Sequence, residues 1–237
     1  MINGRGTHEL SSTPLTGYKI ATPMISAGGE RTAFTGVGAG RKHVYLASDT
    51  AICINDARHA VPNAVCKCGF YCLHTLNAAR DLTCAPENRG TVLLEVAVSG
   101  RYRRYEQGLR FEHQRVRKVW TGRCECGRAA EVFTDSGDGV MGWRQLSPCC
   151  ASCAAGKPVL PLPTFAQLTG QDGVVAAVDR QPLRHFCSQS GLFFTDDRVV
   201  AEGNLPGRDP LLDAELAVVN ARLDELQRQL SRLLDCE

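Results

Sequence analysis

Aromatic residues are scarce in this chain, at 6% of 237 residues. Large rings supply much of the buried area of a core, so the cores are expected to be small. Long apolar runs are also missing. None approaches the ~20 residues needed to span a bilayer, which excludes a helical membrane protein. Residues 1–16 are polar, with no apolar segment after Arg5. They read as a flexible leader rather than a signal peptide. No GxSxG, HExxH or His-x-Glu with a downstream Pro-Cys-x-x-Cys occurs, so no catalytic site is assigned by motif. Residues 36–42 are glycine-rich, but Arg41 interrupts the Walker spacing and His43 stands where Ser or Thr belongs. They are read as a turn rather than a phosphate loop.

What the chain has instead is cysteine, twelve in all. Disulfide frameworks belong to exported chains. With no export signal the expected compartment is the cytoplasm, where thiols stay reduced and close pairs serve as metal ligands. Cys66-Lys67-Cys68 and Cys124-Glu125-Cys126 are each followed by glycine, and Cys150-Ala151-Ser152-Cys153 is a CxxC. Such pairs suit tight turns whose backbone N–H groups face a thiolate.

Two sets of four follow from the spacing. Cys53, His59, Cys66 and Cys68 offer three thiolates and one imidazole, a closed tetrahedral set for structural zinc. Cys72 and His74 are rival ligands just beyond it. Cys124, Cys126, Cys150 and Cys153 form the second set, with a hairpin expected between the two cysteine turns, its own turn at Ser136–Gly139, the plan of a zinc ribbon. Cys149 can stand in for Cys150. A module this small has too little core to fold without its metal. Zinc at two structural sites is therefore the expected cofactor. Cys84, Cys187 and Cys236 have no evident partners.

The run His59-Ala60-Val61-Pro62-Asn63-Ala64-Val65-Cys66-Lys67-Cys68-Gly69-Phe70-Tyr71 resembles the HxxPxxxCxCGxY signature of a group of small actinobacterial and actinophage proteins. In that group a strand, a WGR-like motif, a Glu-His pair and a Gly-Tyr-Arg-Ala stretch follow. The matching positions here are Gly100-Arg101, Tyr105-Glu106 and Gly108-Leu109-Arg110-Phe111, without the Trp, His and Ala. The resemblance spans about residues 45–120. It implies a small metal-bound domain and no particular activity.

Charge is divided unevenly. Residues 1–159 carry a net +7 and residues 160–237 a net −5. The cations concentrate where strands are expected: Arg101, Arg103, Arg104, Arg115, Arg117 and Lys118 lie among Tyr102, Tyr105, Phe111 and Trp120. Arginines interleaved with aromatics on a sheet surface suit DNA or RNA backbones, so these six are the candidate nucleic-acid contacts.

Strands are predicted at residues 42–47, 92–98 (ended by Ser99–Gly100), 101–106 and 109–120, the last two joined by a turn at Gln107–Gly108, with a helix over 70–82. Proline at 158, 161 and 163 predicts a stiff linker over 157–163. In the tail, Leu212, Leu216, Val219, Leu223, Leu226, Leu230 and Leu233 alternate spacings of four and three. That is the seam of a coiled coil, so a second copy of the chain is a candidate partner.

The expected fold class is α+β: a small zinc-stabilised β-rich domain (17–120), a zinc-ribbon-like module (121–156), the linker, a mixed connector (164–208) and a C-terminal coiled-coil helix (209–237). The expected function is non-enzymatic, zinc-binding, and regulatory or nucleic-acid-binding. A protein–protein adaptor is the alternative, and a cysteine- or metal-dependent enzyme comes third.

Overall fold

The structure is a computed structural model, which describes residues 9–37, 43–53 and 58–181. It is β-rich, with eleven strands and two short α-helices among the described residues. The expected coiled-coil seam, Cys187 and Cys236 lie outside the described residues, as does part of the glycine-rich turn.

The organising element is β1 (Glu9–Ser26), which changes partners along its length. From Leu15 to Ala21 it pairs antiparallel with β6 (Val92–Arg104). From Thr22 onward it pairs with β2 (Thr32–Thr35), and at Met24–Ser26 also with β9 (Trp143–Cys149). One long strand thus serves two groups of strands. β1 also starts inside the segment expected to be a leader.

The first group is built on the β6–β7 hairpin, where β7 is Gly108–Thr121. The predicted turn at Gln107–Gly108 is present. Ser99–Gly100, expected to end a strand, is instead an irregularity that β6 passes through, with Gly100 at φ +75°. The predicted helix at 70–82 divides. Phe70–Leu73 is a strand, β5, paired with β7, and only Leu76–Thr83 is helical (α1), capped by the Thr75 hydroxyl. The apolar spacing of this segment fits both periods. The cross-strand partners Phe111 and Leu109 decide for the strand. β4 (Ser48–Thr50) and β11 (Val175–Val178) complete this group along β7, β11 in parallel. Arg80 of α1 donates two hydrogen bonds to Asp179 just beyond β11, at 2.7 and 2.9 Å.

The second group contains β2, β3 (Val44–Tyr45), β8 (Val132–Val140), β9 and β10 (Val159–Pro161). The hairpin expected between the cysteine turns exists, but it turns at Met141–Gly142. Residues 136–138 form a bulge within β8 instead of the turn. The proline-rich stretch is not a free linker. β10 pairs with β8, and α2 (Leu162–Gln167) buries Leu162 and Phe165 in the main core. Proline fits there because β10 is an edge strand and Pro163 stands in the first helical turn, where no N–H is missed.

Few as they are, the aromatics join into one chain across the core. Phe133, Phe165, Phe34, Tyr45, Phe70 and Phe111 follow one another with ring centroids 4.6–6.1 Å apart. Valines 92, 96, 98, 116 and 119 fill the space around them.

Candidate metal centres

The two sets of four predicted from spacing are the two groups that the fold assembles. Within each, the ligand atoms lie within 4.8 Å of one another.

The first group is carried by the loop between β4 and β5. The Sγ atoms of Cys53 and Cys66 are 3.7 Å apart. A tetrahedron with ~2.3 Å metal–sulfur bonds has edges of about 3.8 Å, so these thiols are already at ligand spacing. His59 Nδ1 lies 3.1 Å from the Ala60 carbonyl and 4.0 Å from Cys68 Sγ. Its Nε2 is buried without a hydrogen-bond partner. One ring nitrogen set against a carbonyl and one buried with nothing to bond is the pattern of a metal-ligating histidine. Burial pushes the Cys68 thiol above its ordinary range, and the neighbouring Cys66 and Cys53 add to the rise. Three thiols in one place resist ionising together unless a cation joins them.

The loop is fastened from beneath by Arg110, a residue that sequence reasoning placed only within the resemblance. Arg110 is 4% exposed. Its Nη1 donates to the Cys66 carbonyl at 2.6 Å, and its Nη2 donates to the Asn63 carbonyl. Gly69, directly after the cysteine pair, has φ +115°, and a Cβ there would meet Arg110, Phe111 and Pro62 at 3.1–3.3 Å. Glycine is needed so that the turn can close onto β7. The rivals do not join the group. Cys72 packs inside the core against Gly17, and His74 Nε2 faces the Tyr105 carbonyl at 2.9 Å.

The second group lies where the turn after β7 meets the turn after β9. Cys126 and Cys150 place their Sγ atoms 3.5 Å apart. Burial works against ionising the Cys124 thiol, but the N–H groups of Cys126 and Cys150 outweigh it, and its pKa falls to about 6. The Cys153 N–H likewise lowers the Cys150 thiol. The Cys153 thiol, hydrogen-bonded to Cys126 and Cys150, is pushed up to about 12. A divalent cation would hold all four as thiolates. Cys149 is the neighbour, not a member. Its thiol sits 3.8 Å from Cys124 Sγ and is kept protonated by burial and by that contact. Cys84 caps α1, with Sγ directed at the Arg80 carbonyl.

The six candidate nucleic-acid contacts are dispersed. Arg103 is 8% exposed, cross-strand from Arg110, and does not present its charge at the surface. The β6–β7 pairing gives it the same face as Arg110, the face that the metal loop covers. Arg101 is taken up by Glu112, through Nε at 3.1 Å and Nη2 at 2.5 Å. Arg104 is exposed beside the Tyr102 ring. The other three come together through an irregularity in β7. Glu95 pairs with Lys118, but Val96 pairs with Val116, so Arg117 is an extra residue. A regular strand would put Arg115 and Lys118 on opposite faces. The bulge puts them on one, and both line a shallow open groove with Arg117, Glu95, Ser99 and Asp172. Lys118 meets Glu95 at 3.3 Å, and Arg115 donates to the Asp172 carbonyl at 2.9 Å.

No family model, curated protein or solved structure matches the chain. Among the described residues no helix is long and apolar enough to cross a membrane.

Proposed function

We propose that the chain is a non-enzymatic, zinc-held binding protein whose target is nucleic acid, met along the outer face of β7. The observation that carries this reading is the bulge at Arg117, which gathers Arg115, Arg117 and Lys118 along one groove. Zinc is the metal of choice because one donor set is three cysteines with a histidine and the other is four cysteines, both common closed structural sets. Four protein ligands leave no position for a reacting water, which supports a structural role for both ions. The heptad seam from Leu212 to Leu233 is proposed to join copies of the chain, raising the local density of cationic faces.

The test is fluorescence anisotropy with a labelled DNA duplex over a salt series. Three phosphate contacts predict a slope of about −2.7 in log K against log salt. Arg115→Glu with Arg117→Glu should abolish binding while both metals stay bound. Binding that ignores salt, or that survives the double substitution, would refute the reading. Capture of one stoichiometric protein partner with no affinity for DNA or RNA would favour an adaptor instead.

A further inference from the structure

Beside the first metal loop is a second surface that the cationic groove does not include. Val65 is 96% exposed, Tyr71 49% and Tyr105 48%. The two tyrosines are not loose. Tyr71 Oη donates to the Lys67 carbonyl at 2.8 Å. The Tyr105 N–H donates to the Gly108 carbonyl at 2.8 Å, and its own carbonyl meets His74. Between them lies the Arg110 guanidinium, 6.0 Å from the Tyr71 ring centre and 5.8 Å from that of Tyr105. The same guanidinium holds the Asn63 and Cys66 carbonyls of the metal loop. Tyr71 is thus fastened to the loop that the first metal centre closes, and both rings lie against the guanidinium that holds that loop.

We propose that Tyr71 and Tyr105 are a stacking platform for unpaired bases, so that the nucleic acid is single-stranded and the first metal centre maintains the platform through Arg110. The proposal rests on the nucleic-acid reading above and names its substrate class. Charge selects this occupant. Exposed Arg58 and Lys67 belong to the metal loop, which carries no acid from residue 58 to 68, and exposed Arg104 precedes Tyr105 in the chain, with Glu106 the acid beside them. A ring pair with cations in its neighbourhood suits bases with a phosphate backbone, because every base has a face to stack and every phosphate a charge to neutralise. A partner protein of ordinary composition has no such demand for cations near the rings.

The test uses the full chain and two probes, a labelled oligothymidine of about 12 nucleotides and a duplex of equal length, with zinc content measured on every variant. Tyr71→Ala and Tyr105→Ala should each weaken oligothymidine binding roughly tenfold, and together about a hundredfold. Tyr→Phe at both positions should hold affinity within about twofold, since stacking needs the ring and not the hydroxyl. Duplex binding should change little in any of them. Where an alanine variant loses zinc, Tyr→Leu at the same position replaces it, keeping apolar bulk without a ring. Unchanged oligothymidine affinity in the Ala or Leu variants would overturn the platform, as would equal loss in the Phe variants. Wild type that binds duplex but not oligothymidine would overturn the platform and leave the cationic groove standing. Wild type that binds neither probe would overturn both.

Discussion

Replacing one ligand of the second group, Cys153→Ser, should release one of two zinc ions and melt two turns without unfolding the chain. The two turns, residues 122–131 and 149–157, have almost no core. Their buried cluster is Cys124, Ala130, Cys149, Cys150 and Ala154, with Val132 partly buried against it. Burial of that little apolar surface contributes about 4 kcal/mol. Ordering their backbones costs on the order of 20 kcal/mol at ~1 kcal/mol per residue. Structural zinc supplies ~10–16 kcal/mol in modules of this kind, and backbone hydrogen bonds such as Cys124 N–H to Arg128 C=O supply the small remainder. The hairpin between the turns is anchored elsewhere. Phe133 and Leu146 belong to the main core, and β9 pairs with β1 at Met24–Ser26. Hydrogen-exchange mass spectrometry on Cys153→Ser should therefore show lost protection in the two turns and retained protection in β8 and β9. Metal analysis should fall from two ions per chain to one. Cys149→Ser is the control, because Cys149 is a neighbour and not a ligand, and it should keep both ions. Two ions and wild-type protection in Cys153→Ser would refute the assignment, and so would loss of metal in Cys149→Ser alone.

Three further outcomes are expected. Arg110→Met leaves the Asn63 and Cys66 carbonyls without their donor and should lower metal affinity at the first centre about 10- to 100-fold, with no ligand touched; competition with a chromophoric chelator measures this, and unchanged affinity would show that the loop holds itself. Lys19 Nζ lies 4.4 Å from the Tyr45 ring centre and 3.3 Å from Gln114 Oε1, and burial lowers its pKa to about 8, with Cys72 opposing. Between pH 8 and 10.5 the unfolded chain then holds the extra proton at Lys19, so the Lys19 contribution to stability rises with pH across that window, against the fall that the buried Cys72 thiol, pushed up to about 11, brings above pH 9. Lys19→Met should stabilise the protein at pH 7 by roughly 1–3 kcal/mol and flatten that rise; a wild-type and variant pair with parallel denaturation midpoints from about pH 7 upward through that window would refute it. Leu223→Asp, at the centre of the heptad seam, should convert an oligomer into a monomer that keeps both metals, as read by light scattering; a monomeric wild type would refute the coiled coil.

The two candidate ligand groups were legible in the sequence because short cysteine spacings fix their own geometry. Cys-x-Cys-Gly and Cys-x-x-Cys can each bring two thiols to one point with little help from the rest of the chain. The long-range partner was also legible, since four ligands are needed and few thiols remained. The strand at 109–120 was read from alternation, with Leu109, Phe111 and His113 on one face and Arg110, Glu112 and Gln114 on the other. Phe70–Leu73 was misread because its apolar spacing serves a helix or a strand equally, and only pairing with β7 distinguishes them. The proline-rich stretch was misread for a related reason. Proline excludes central strands and helix interiors, yet it is at home on an edge strand and in a first helical turn, the places that β10 and α2 occupy. The cationic segment was the least legible. Whether an arginine faces solvent depends on strand parity, and one inserted residue at Arg117 reverses the parity of everything beyond it.

The two metal groups stand where the core runs out. The chain of rings from Phe133 to Phe111 and the valines beside it bury the strands of both groups. Beyond its ends lie a loop and two turns with only small side chains to bury. At one end, Ala51, Val61 and Cys68 form a satellite cluster reached by Phe70. At the other, Val132, next to Phe133, borders the cluster of Cys124, Cys149 and Cys150. With fifteen aromatic residues in 237, the chain has too few large side chains to extend the core to both places. A tetrahedral ion would fix four backbone positions through four ligands, which is the constraint these segments lack. The proposed platform follows from that division. Where cysteine turns replace a core, the neighbouring large side chains need not point inward, and Tyr71 and Tyr105 are left half-exposed beside the first metal loop. On this reasoning, removing metal from the first centre should cost single-strand binding before it costs the fold, because the strands keep their core while the platform loses the loop that fixes it.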